Sequence, residues 1–226
     1  MPISLGSTSL STFRVGTLTP DRIFLGNELV WPAFTEATQQ FASVGTWTYT
    51  IPTNCRFIDI VIVGAGGGGA GGANIGNGDG KGGKAGAWQT ITLRRGVDIP
   101  WSTTQITVVI SAGGTGGGSN NGAGGNGGTT SISVNGTLLL IALGGAGGSG
   151  INPTGGSDPI GQGAGTQTYN GKPYVGGSSV GVANPSGTGT TGSPPGGGGE
   201  GGGGALFGTG SGGGPGAPGG AWVRAY

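Results

Sequence analysis

Glycine makes up 62 of the 226 residues, and all but four of these glycines lie after residue 63. They are concentrated in four runs, at residues 64–86, 113–128, 144–165 and 192–220, which alternate with short apolar segments. About one residue in fourteen is glycine in an average protein, so this excess indicates either a low-complexity tail or an ordered glycine architecture. The two alternatives differ in what they predict about function, because an ordered array holds binding residues at fixed positions and a low-complexity tail does not.

The placement of the runs favours an ordered array. A flexible linker normally joins two folded parts once, whereas these runs recur between consecutive strand-like segments and the chain closes on the apolar segment Ala221–Tyr226. Glycine does not recur at every third position, as the run Gly66–Gly69 shows, and this excludes a collagen triple helix.

Glycine readily forms polyproline II helices, which have three residues per turn and no internal hydrogen bonds. Without side chains, several such helices can lie side by side and bond through their backbones. Ordering one glycine costs roughly 1–2 kcal/mol, and one net backbone hydrogen bond contributes only about 1 kcal/mol. We therefore expect the array to depend on a β-structure that fixes its ends.

Between the glycine runs, the sequence predicts β-strands. Phe41–Ile51 alternates aromatic side chains with threonines, and Arg56–Val63 has apolar residues on both faces, so both of its faces are expected to be buried. Asn135-Gly136 predicts a type I′ hairpin turn between two further strands. The remaining predicted strands are 87–93, 105–111, 129–134, 137–143 and 221–226. No segment has a helical period with caps, so we expect an all-β fold: a jelly-roll-like β-sandwich with inserted polyglycine helices.

The first 36 residues have an almost ordinary composition. Ile3–Leu10 and Ile23–Pro32 each pair two apolar segments around a glycine, Gly6 and Gly26, and predict two small β-hairpins. Isolated hairpins are marginally stable in water, so this region is expected to dock onto another protein or onto the following domain. The predicted domains are an attachment region of short β-hairpins, residues 1–36, and a glycine-rich β-sandwich domain, residues 37–226.

Few residues are suited to chemistry. Histidine is absent, Cys55 is the single cysteine, and the charged residues, nine basic and eight acidic, make up 8% of the chain. This inventory excludes His/Cys metal sites, serine and cysteine triads, disulfide frameworks and a basic stripe for nucleic acid. We expect Cys55 to be a buried thiol. The N-terminus has no signal-peptide pattern, and Leu138–Leu143 is too short to span a membrane, so a soluble protein made in a cytoplasm is predicted.

Two patterns that suggest enzymes lack their required context. Ile58–Gly69 matches a strand followed by G-x-G-x-x-G, but a dinucleotide-binding fold needs a helix there, and further glycines follow instead. Glycosidases use paired carboxylates, whereas the eight acidic residues are isolated in sequence. Four of them stand beside proline or glycine and are interpreted as solvated turn residues: Asp21, Asp79, Asp158 and Glu200. We expect no cofactor, no metal and no catalytic residue.

The segment 152–185 is long and rich in turn-forming residues. It contains four candidate receptor-binding residues: Tyr169, Asn170, Lys172 and Tyr174. Aromatic rings beside amides are typical of surfaces that recognise glycans or proteins. The alternative, which the sequence leaves open, is that the tyrosines pack this loop onto the sandwich. Three tryptophans are interpreted as core residues: Trp88, Trp101 and Trp222. The few non-glycine residues at the turns of the array are expected to matter most for binding.

An ordered set of segments resembles glycine-rich minor tail proteins of long-tailed bacteriophages, over nearly the whole chain. The set consists of Leu25-Gly-Asn-Glu-Leu-Val-Trp-Pro32, then Phe41 with Gly45-Thr-Trp-Thr-Tyr-Thr-Ile-Pro52, then Ile60-Val-Ile-Val-Gly-Ala-Gly-Gly-Gly68 and the closing Ala221-Trp-Val-Arg-Ala-Tyr226. The glycine runs also resemble those of tail-fibre adhesins with polyglycine sandwiches. A third similarity is to the glycine-rich domain of anaplastic lymphoma kinase, whose expected cysteines are missing here.

The resemblance implies a non-enzymatic virion protein at the tail tip, made in the host cytoplasm. In that role residues 1–36 attach to other tail proteins, and the rest displays rigid loops to a host cell-surface glycan or protein, without nucleic acid and without membrane insertion. Analogy with fibre proteins implies a homotrimer. The main alternative is a purely structural tail or baseplate component without host contact, and the third is an envelope-degrading hydrolase.

Overall fold

The computed structural model describes residues 4–5, 8–9, 14–18, 20, 22–26, 28–32, 34–152 and 158–226, and these residues form strands and no helix. In chain order the strands are β1 (Ser4–Leu5), β2 (Thr8–Ser9), β3 (Ile23–Leu25), β4 (Glu28–Trp31), β5 (Ala37–Phe41), β6 (Gly45–Thr50), β7 (Phe57–Val63), β8 (Asp79–Gly80), β9 (Trp88–Arg94), β10 (Gln105–Ile110), β11 (Thr130–Val134), β12 (Thr137–Ala142), β13 (Ile151–Asn152), β14 (Thr166–Tyr169), β15 (Lys172–Val175) and β16 (Gly220–Ala225). The all-β prediction is confirmed.

Eight strands form two four-stranded antiparallel sheets that pack face to face. The strand order is β5-β16-β7-β9 in sheet I and β12-β11-β10-β6 in sheet II. Because side chains alternate between the faces of a strand, one face of each sheet contributes to a shared apolar core. Its main members are Phe41, Tyr49, Ile58, Ile60, Ile62, Leu93, Ile106, Val108, Ile110, Ile132, Val134, Ala221 and Val223. Cys55 is a free thiol buried in this core, as predicted, and burial raises its pKa.

Strand β7 is buried on both faces, as the apolar residues on both of its sides predict. Ile58, Ile60 and Ile62 contact the core between the sheets, while Val61 and Val63 belong to a second apolar cluster on the outer face of sheet I. This outer cluster also contains Tyr174 and Trp222, with Trp88 and Tyr169 packed against it. The outer face of sheet I is therefore covered by another part of the chain.

The single strand predicted over Phe41–Ile51 is wrong. The structure divides it into β5, which ends at Phe41 in sheet I, and β6, which begins at Gly45 in sheet II. Gly45 has a φ of 143°, which other residues rarely adopt, and this lets the chain pass from one sheet to the other.

The predicted hairpin turns are present where the structure describes them. Asn135 and Gly136 have φ values of 49° and 78°, as a type I′ turn requires, and they connect β11 with β12. In the N-terminal region β1 pairs with β2 and β3 pairs with β4, and Gly26 has a φ of 63°. Gly6, the other predicted turn residue, lies outside the described residues. Phe24 of β3 contacts Trp101 edge to face at 5.1 Å, so Trp101 packs against the N-terminal region rather than in the core.

The glycine runs all leave the sandwich from the same end. β7, β10 and β12 lead into glycine segments at their carboxyl ends, and β9, β11 and β16 follow glycine segments at their amino ends. Antiparallel pairing aligns these ends, since Val63 pairs with Trp88 and with Gly220. The two sheets therefore hold the ends of the glycine segments next to one another.

The glycine segments form a hydrogen-bonded bundle around a central segment, residues 64–73. Its successive N–H groups donate in rotation to three neighbouring segments. Gly64, Gly67 and Ala70 donate to the carbonyls of Ala87, Lys84 and Lys81 in the first segment. Ala65, Gly68 and Gly71 donate to those of Gly128, Gly125 and Gly122 in the second. Gly66, Gly69 and Gly72 donate to those of Ala217, Gly214 and Ser211 in the third, and all nine N···O distances are 2.8–3.0 Å. A repeat of three residues is that of the polyproline II helix. Within each neighbour, the residue number of the acceptor falls as the residue number of the donor rises, so these three neighbours run antiparallel to the central helix.

The carbonyl groups of the central helix accept from three other segments, which run parallel to it. Ala65 and Gly68 accept from the N–H groups of Gly145 and Gly148. Gly66, Gly69 and Gly72 accept from those of Gly114, Gly117 and Asn120. Gly67, Ala70 and Ala73 accept from those of Gly199, Gly202 and Ala205. The central helix thus has six neighbours, three in each direction. The prediction of ordered polyglycine helices inserted into a β-sandwich is confirmed.

Close packing explains why the runs are glycine. A Cβ atom at Gly66, Gly69 or Gly72 would overlap the carbonyl group of Gly197, Glu200 or Gly203. In the outermost helices the exposed side chains recur at every third position. In the segment 122–129 the exposed residues are Ala123, Asn126 and Thr129. A helix with more neighbours needs glycine at more positions, and this explains why glycine has no constant period along the sequence.

Substitution of inward glycines is expected to unfold the array. Gly69→Ala places a methyl group against the Glu200 carbonyl, and we expect it to lower the free energy of unfolding by about 3 kcal/mol or more, because two backbones must separate. The control is Gly118→Ala, where a Cβ meets no atom within 4 Å, and a change within about 1 kcal/mol is expected. Denaturant unfolding of both variants measures the difference. Equal stability of the two variants would contradict close packing of the helices.

Candidate functional site

The four candidate receptor-binding residues lie together on one hairpin. β14 and β15 pair antiparallel, and Asn170 and Gly171 form the turn between them with φ values of 44° and 72°. These values fit a type I′ turn, which the Asn-Gly sequence favours. The hairpin itself was not predicted, although Asn170-Gly171 is the same signal that predicts the turn at Asn135-Gly136.

The two tyrosines of this hairpin pack onto the outer face of sheet I. Tyr174 is only 4% exposed and contacts the Trp222 ring edge to face at 5.8 Å, and burial raises the pKa of its phenol. Trp222 in turn stacks on Trp88 at 5.5 Å. The Tyr169 hydroxyl lies 2.9 Å from the Thr92 hydroxyl of β9. This is the packing arrangement that the sequence left open as an alternative. A receptor-binding role for the hairpin stays a prediction.

A fully buried carboxylate anchors the tip of the hairpin. Asp59 of β7 accepts hydrogen bonds from Arg224 Nη1 at 3.1 Å and from the Thr92 hydroxyl at 2.6 Å. It also accepts from Asn170 Nδ2 at 2.9 Å and from the Tyr226 hydroxyl at 3.2 Å. A buried carboxylate with four donors is well satisfied, so this cluster stabilises the fold. The side-chain amide of Asn170 therefore makes a contact within the fold, although the turn in which Asn170 lies is exposed.

Lys172, the fourth candidate, forms an ion pair with the linker that precedes β5. Its Nζ atom lies 3.1 Å from Glu36 Oε1, and Arg224 Nη2 lies 2.6 Å from Glu36 Oε2. The hydrogen bonds from Arg224 and from Lys172 lower the pKa of Glu36 to about 2. Glu36 therefore joins the segment that precedes β5 to sheet I and to the hairpin.

Two acidic residues predicted to be solvated are buried, so that prediction is wrong for them. Glu200 accepts the backbone N–H groups of Val182 and Thr190 at 2.7 and 2.8 Å, and Asp79 accepts the N–H of Gly204 at 2.9 Å. These carboxylates bind N–H groups where the array turns. The other two predicted turn residues differ: Asp158 is exposed and lies 3.8 Å from Lys81 Nζ, and Asp21 lies outside the described residues.

In the part of the chain that the structure describes, no three His, Cys, Asp or Glu side chains lie close enough together to hold a metal ion. Nor does this part contain a helix of the length and apolarity needed to cross a bilayer.

Three turns converge at the end of the array that is farthest from the sandwich. We call residues 74–78, 119–121 and 205–209 the array tip. Asn120 and Asn121 donate their backbone N–H groups to the Gly72 carbonyl, at 2.9 and 3.3 Å, and Asn77 donates to the Ala205 carbonyl at 3.1 Å. Ile75 and Phe207 form an antiparallel bridge between two of the turns. The tip is thus tied to the last turn of the central helix.

The array tip exposes apolar side chains. Ile75, Leu206 and Phe207 are 75%, 60% and 86% exposed. Three asparagines stand beside them in left-handed backbone conformations, with φ values of 57° to 63°, which asparagine tolerates better than most residues: Asn77, Asn120 and Asn121. An exposed apolar patch with amides around it is the chemistry of a binding surface.

The tip and the N-terminal region lie at opposite ends of the molecule. Trp101, which contacts Phe24, precedes β10, and β10 leads at its other end into the array. At 3.1 Å per residue, the central helix from Gly64 to Gly72 extends about 25 Å beyond the sandwich. The tip is therefore held well away from the sheets.

Comparison with known proteins places the fold in a family. A family model for a glycine-rich domain matches residues 41–226. The chain belongs to this glycine-rich domain family. It is 43% identical over 229 residues to the Gene 32 protein of Mycobacterium phage D29 and 42% identical over 239 residues to that of Mycobacterium phage L5, with 99% of each chain covered. The predicted resemblance to glycine-rich phage proteins is confirmed at this level, while the tail-tip role stays a prediction.

The apolar tip residues were not predicted individually. A usable signal was present, because Ile75 is the single bulky apolar residue between positions 64 and 86, and Leu206 and Phe207 are the only two between 192 and 220. The sequence analysis did predict that non-glycine residues at the turns matter most. It could not show which turns meet, because that depends on the packing of the helices.

The ion pairs of Glu36 predict a loss of stability in acid. Because the pKa of Glu36 is about 2 in the folded protein and 4.5 ordinarily, its stabilising contribution is complete above the ordinary pKa and is lost as the pH falls towards 2. We expect wild type to be more stable than Glu36→Gln at pH 6, and the difference to shrink between pH 5 and pH 2. Thermal unfolding of both proteins across this range measures it. A difference that does not change with pH would contradict the assignment.

Proposed function

We propose that this protein is a non-enzymatic component of a phage tail tip, which attaches through residues 1–36 and contacts the host cell surface with the array tip. The observation that carries the proposal is the exposure of Ile75, Leu206 and Phe207 at the end of a rigid bundle. The similarity to two mycobacteriophage proteins supports a place in a phage, and it makes a mycobacterial cell the proposed host.

Rigidity is the first argument for a binding tip. Its turns are bonded to the central helix, and that helix is bonded to six others, so the tip residues lose little further freedom when a partner binds. Pre-organised surfaces avoid much of the entropic penalty of association. A rigid projection also places the contact at a distance from the rest of the assembly.

Chemical composition is the second argument. The central helix and the neighbouring segment 196–203 are buried and contain only glycine and alanine apart from Glu200, yet Phe207, which follows shortly after, is nearly fully exposed. An aromatic ring surrounded by amides binds the apolar face of a sugar or an apolar protein surface, and the amides bond to the adjoining polar groups. We therefore propose a host cell-surface glycan or protein as the partner.

Attachment through the N-terminal region is supported by its exposed side chains. Val15, Leu18 and Leu25 are largely exposed, while Phe24 contacts the sandwich through Trp101. These residues suit docking onto another tail protein. The proposed homotrimer rests on analogy with fibre proteins. The absence of enzymatic activity is part of the proposal, and it is supported by the use of the buried carboxylates of Asp59, Asp79 and Glu200 as hydrogen-bond acceptors within the fold.

The test is binding of purified, fluorescently labelled protein to mycobacterial cells. Phe207→Ser is expected to weaken binding about tenfold, which is the effect of losing one central aromatic contact, without changing stability because the side chain is exposed. Val97→Ser is the control, since Val97 is also an exposed apolar residue and lies in the connection after β9, away from the tip. Equal binding of Phe207→Ser and wild type would overturn the role of the tip.

The same substitution in an intact phage separates this proposal from a purely structural role. Virions that carry Phe207→Ser are expected to assemble in normal numbers and to adsorb poorly. A structural component whose tip docks onto another tail protein would instead give fewer assembled tails and normal adsorption per virion. Failure of the folded wild-type protein to bind cells at any concentration would also contradict host contact.

A further inference from the structure

A cleft of about 440 Å³ opens on the side of the glycine array, away from the array tip. Ile160, Ala146 and glycine backbone line it together with six polar side chains: Lys81, Lys84, Ser149, Asp158, Gln162 and Ser179. Clefts that bind small molecules have volumes of roughly 300–1,000 Å³, so this one is large enough for a small ligand. Neither the hairpin nor the tip contributes to it.

The two lysines project into the cleft from a single polyglycine helix. Lys81 and Lys84 are separated by Gly82 and Gly83, which is one turn of a threefold helix, so both point to the same side about 9 Å apart. Both residues are exposed, whereas the intervening glycines are buried. The spacing Lys-Gly-Gly-Lys thus forms a row of two positive charges.

Backbone hydrogen bonds hold the walls of the cleft in place. Lys84 donates its N–H to the Ala146 carbonyl at 2.9 Å, which fixes the helix that carries Ser149. Gly82 donates to the Asp158 carbonyl at 2.7 Å, and Gln162 donates to the Gly83 carbonyl at 3.0 Å. The cleft is therefore preformed, with its side chains on rigid supports.

The charges and polar groups indicate the class of ligand. Lys81 is 3.8 Å from Asp158 in an exposed and therefore weak ion pair, while Lys84 has no ion pair among the described residues. The Ser179 hydroxyl oxygen accepts the N–H of Gly163 at 3.0 Å, so its own proton is free to donate to a ligand. With two lysines against one carboxylate, the lining carries a net single positive charge.

We propose that this cleft binds a saccharide that carries one anionic group, either a carboxylate or a phosphate. The anion lies at Lys84, and sugar hydroxyls bond to Ser149, Gln162 and Ser179 and to glycine backbone groups. Among the described residues no aromatic side chain lines the cleft and Ile160 is the one bulky apolar residue there, so a stacked base or an extended apolar peptide would find little matching surface. The site is separate from the array tip and does not depend on the role proposed for it.

The test is an NMR titration of the full-length protein with four probes: glucuronic acid, glucose 6-phosphate, glucose and inorganic phosphate. We expect saturable shifts of the Gly82 and Gly148 amides with one or both anionic sugars at millimolar concentrations, and weaker effects with glucose or phosphate alone. The first two probes distinguish a carboxylated from a phosphorylated ligand. Raising the salt concentration is expected to weaken binding, because the cleft is open to solvent.

Lys84→Gln is expected to weaken binding of the anionic sugar about fivefold. Arg94→Gln removes a positive charge from an exposed residue of β9, outside the cleft, and is expected to leave the affinity for the anionic sugar unchanged. Unchanged affinity in Lys84→Gln, or no saturable shift with either anionic sugar, would overturn the proposal. Equal affinity for phosphate alone would show an anion site without sugar recognition and would also overturn it. The salt dependence of wild type provides the same test of charge if Lys84→Gln does not fold.

Discussion

Backbone hydrogen bonds between polyglycine helices are the interaction on which the rest of this structure depends. In the central helix, nine consecutive N–H groups donate to three antiparallel neighbours, and the carbonyls accept from three parallel ones. Each bond contributes only about 1 kcal/mol, so the bundle needs many of them and needs its ends fixed. The two sheets meet this requirement, because every run leaves the sandwich from one end. The apolar core and the glycine array are thus parts of one arrangement.

The same interaction decides where this protein can carry functional side chains. Most inward positions admit no Cβ, as Gly66 and Gly69 illustrate, and the central helix has only alanine elsewhere, so the side chains that a partner can reach are confined to outward rows and to turns. Outward rows produce the pair Lys81 and Lys84, and turns produce the exposed Phe207. Both proposed sites are therefore located at the few places where helix packing leaves side chains exposed. Both are rigid because the backbone beneath them is hydrogen-bonded to neighbouring helices.

Much of the fold could be predicted from the sequence, because strands such as Phe57–Val63 carry their own apolar pattern and this one ends where a glycine run begins. What could not be predicted depends on distant segments. The burial of Glu200 arises from turns at Val182 and Thr190, and the division of Phe41–Ile51 depends on which sheet each half joins. Tyr174 shows the same limit for the candidate site, since its burial follows from Trp222, which is close in space and remote in sequence. The glycine-rich phage resemblance was visible, but which turns form the tip was not.

The position of the last glycine segment has a consequence for how the chain folds. Residues 211–217 supply one of the three antiparallel acceptors of the central helix, and β16 follows directly as an interior strand of sheet I, between β5 and β7. Pairings between such distant segments form slowly, because a long loop must close before they contribute. Neither the sheet nor the array can be completed until residues 211–225 have left the ribosome. The sandwich and the array therefore become complete together, and a chain that ends before residue 211 lacks the partners for both.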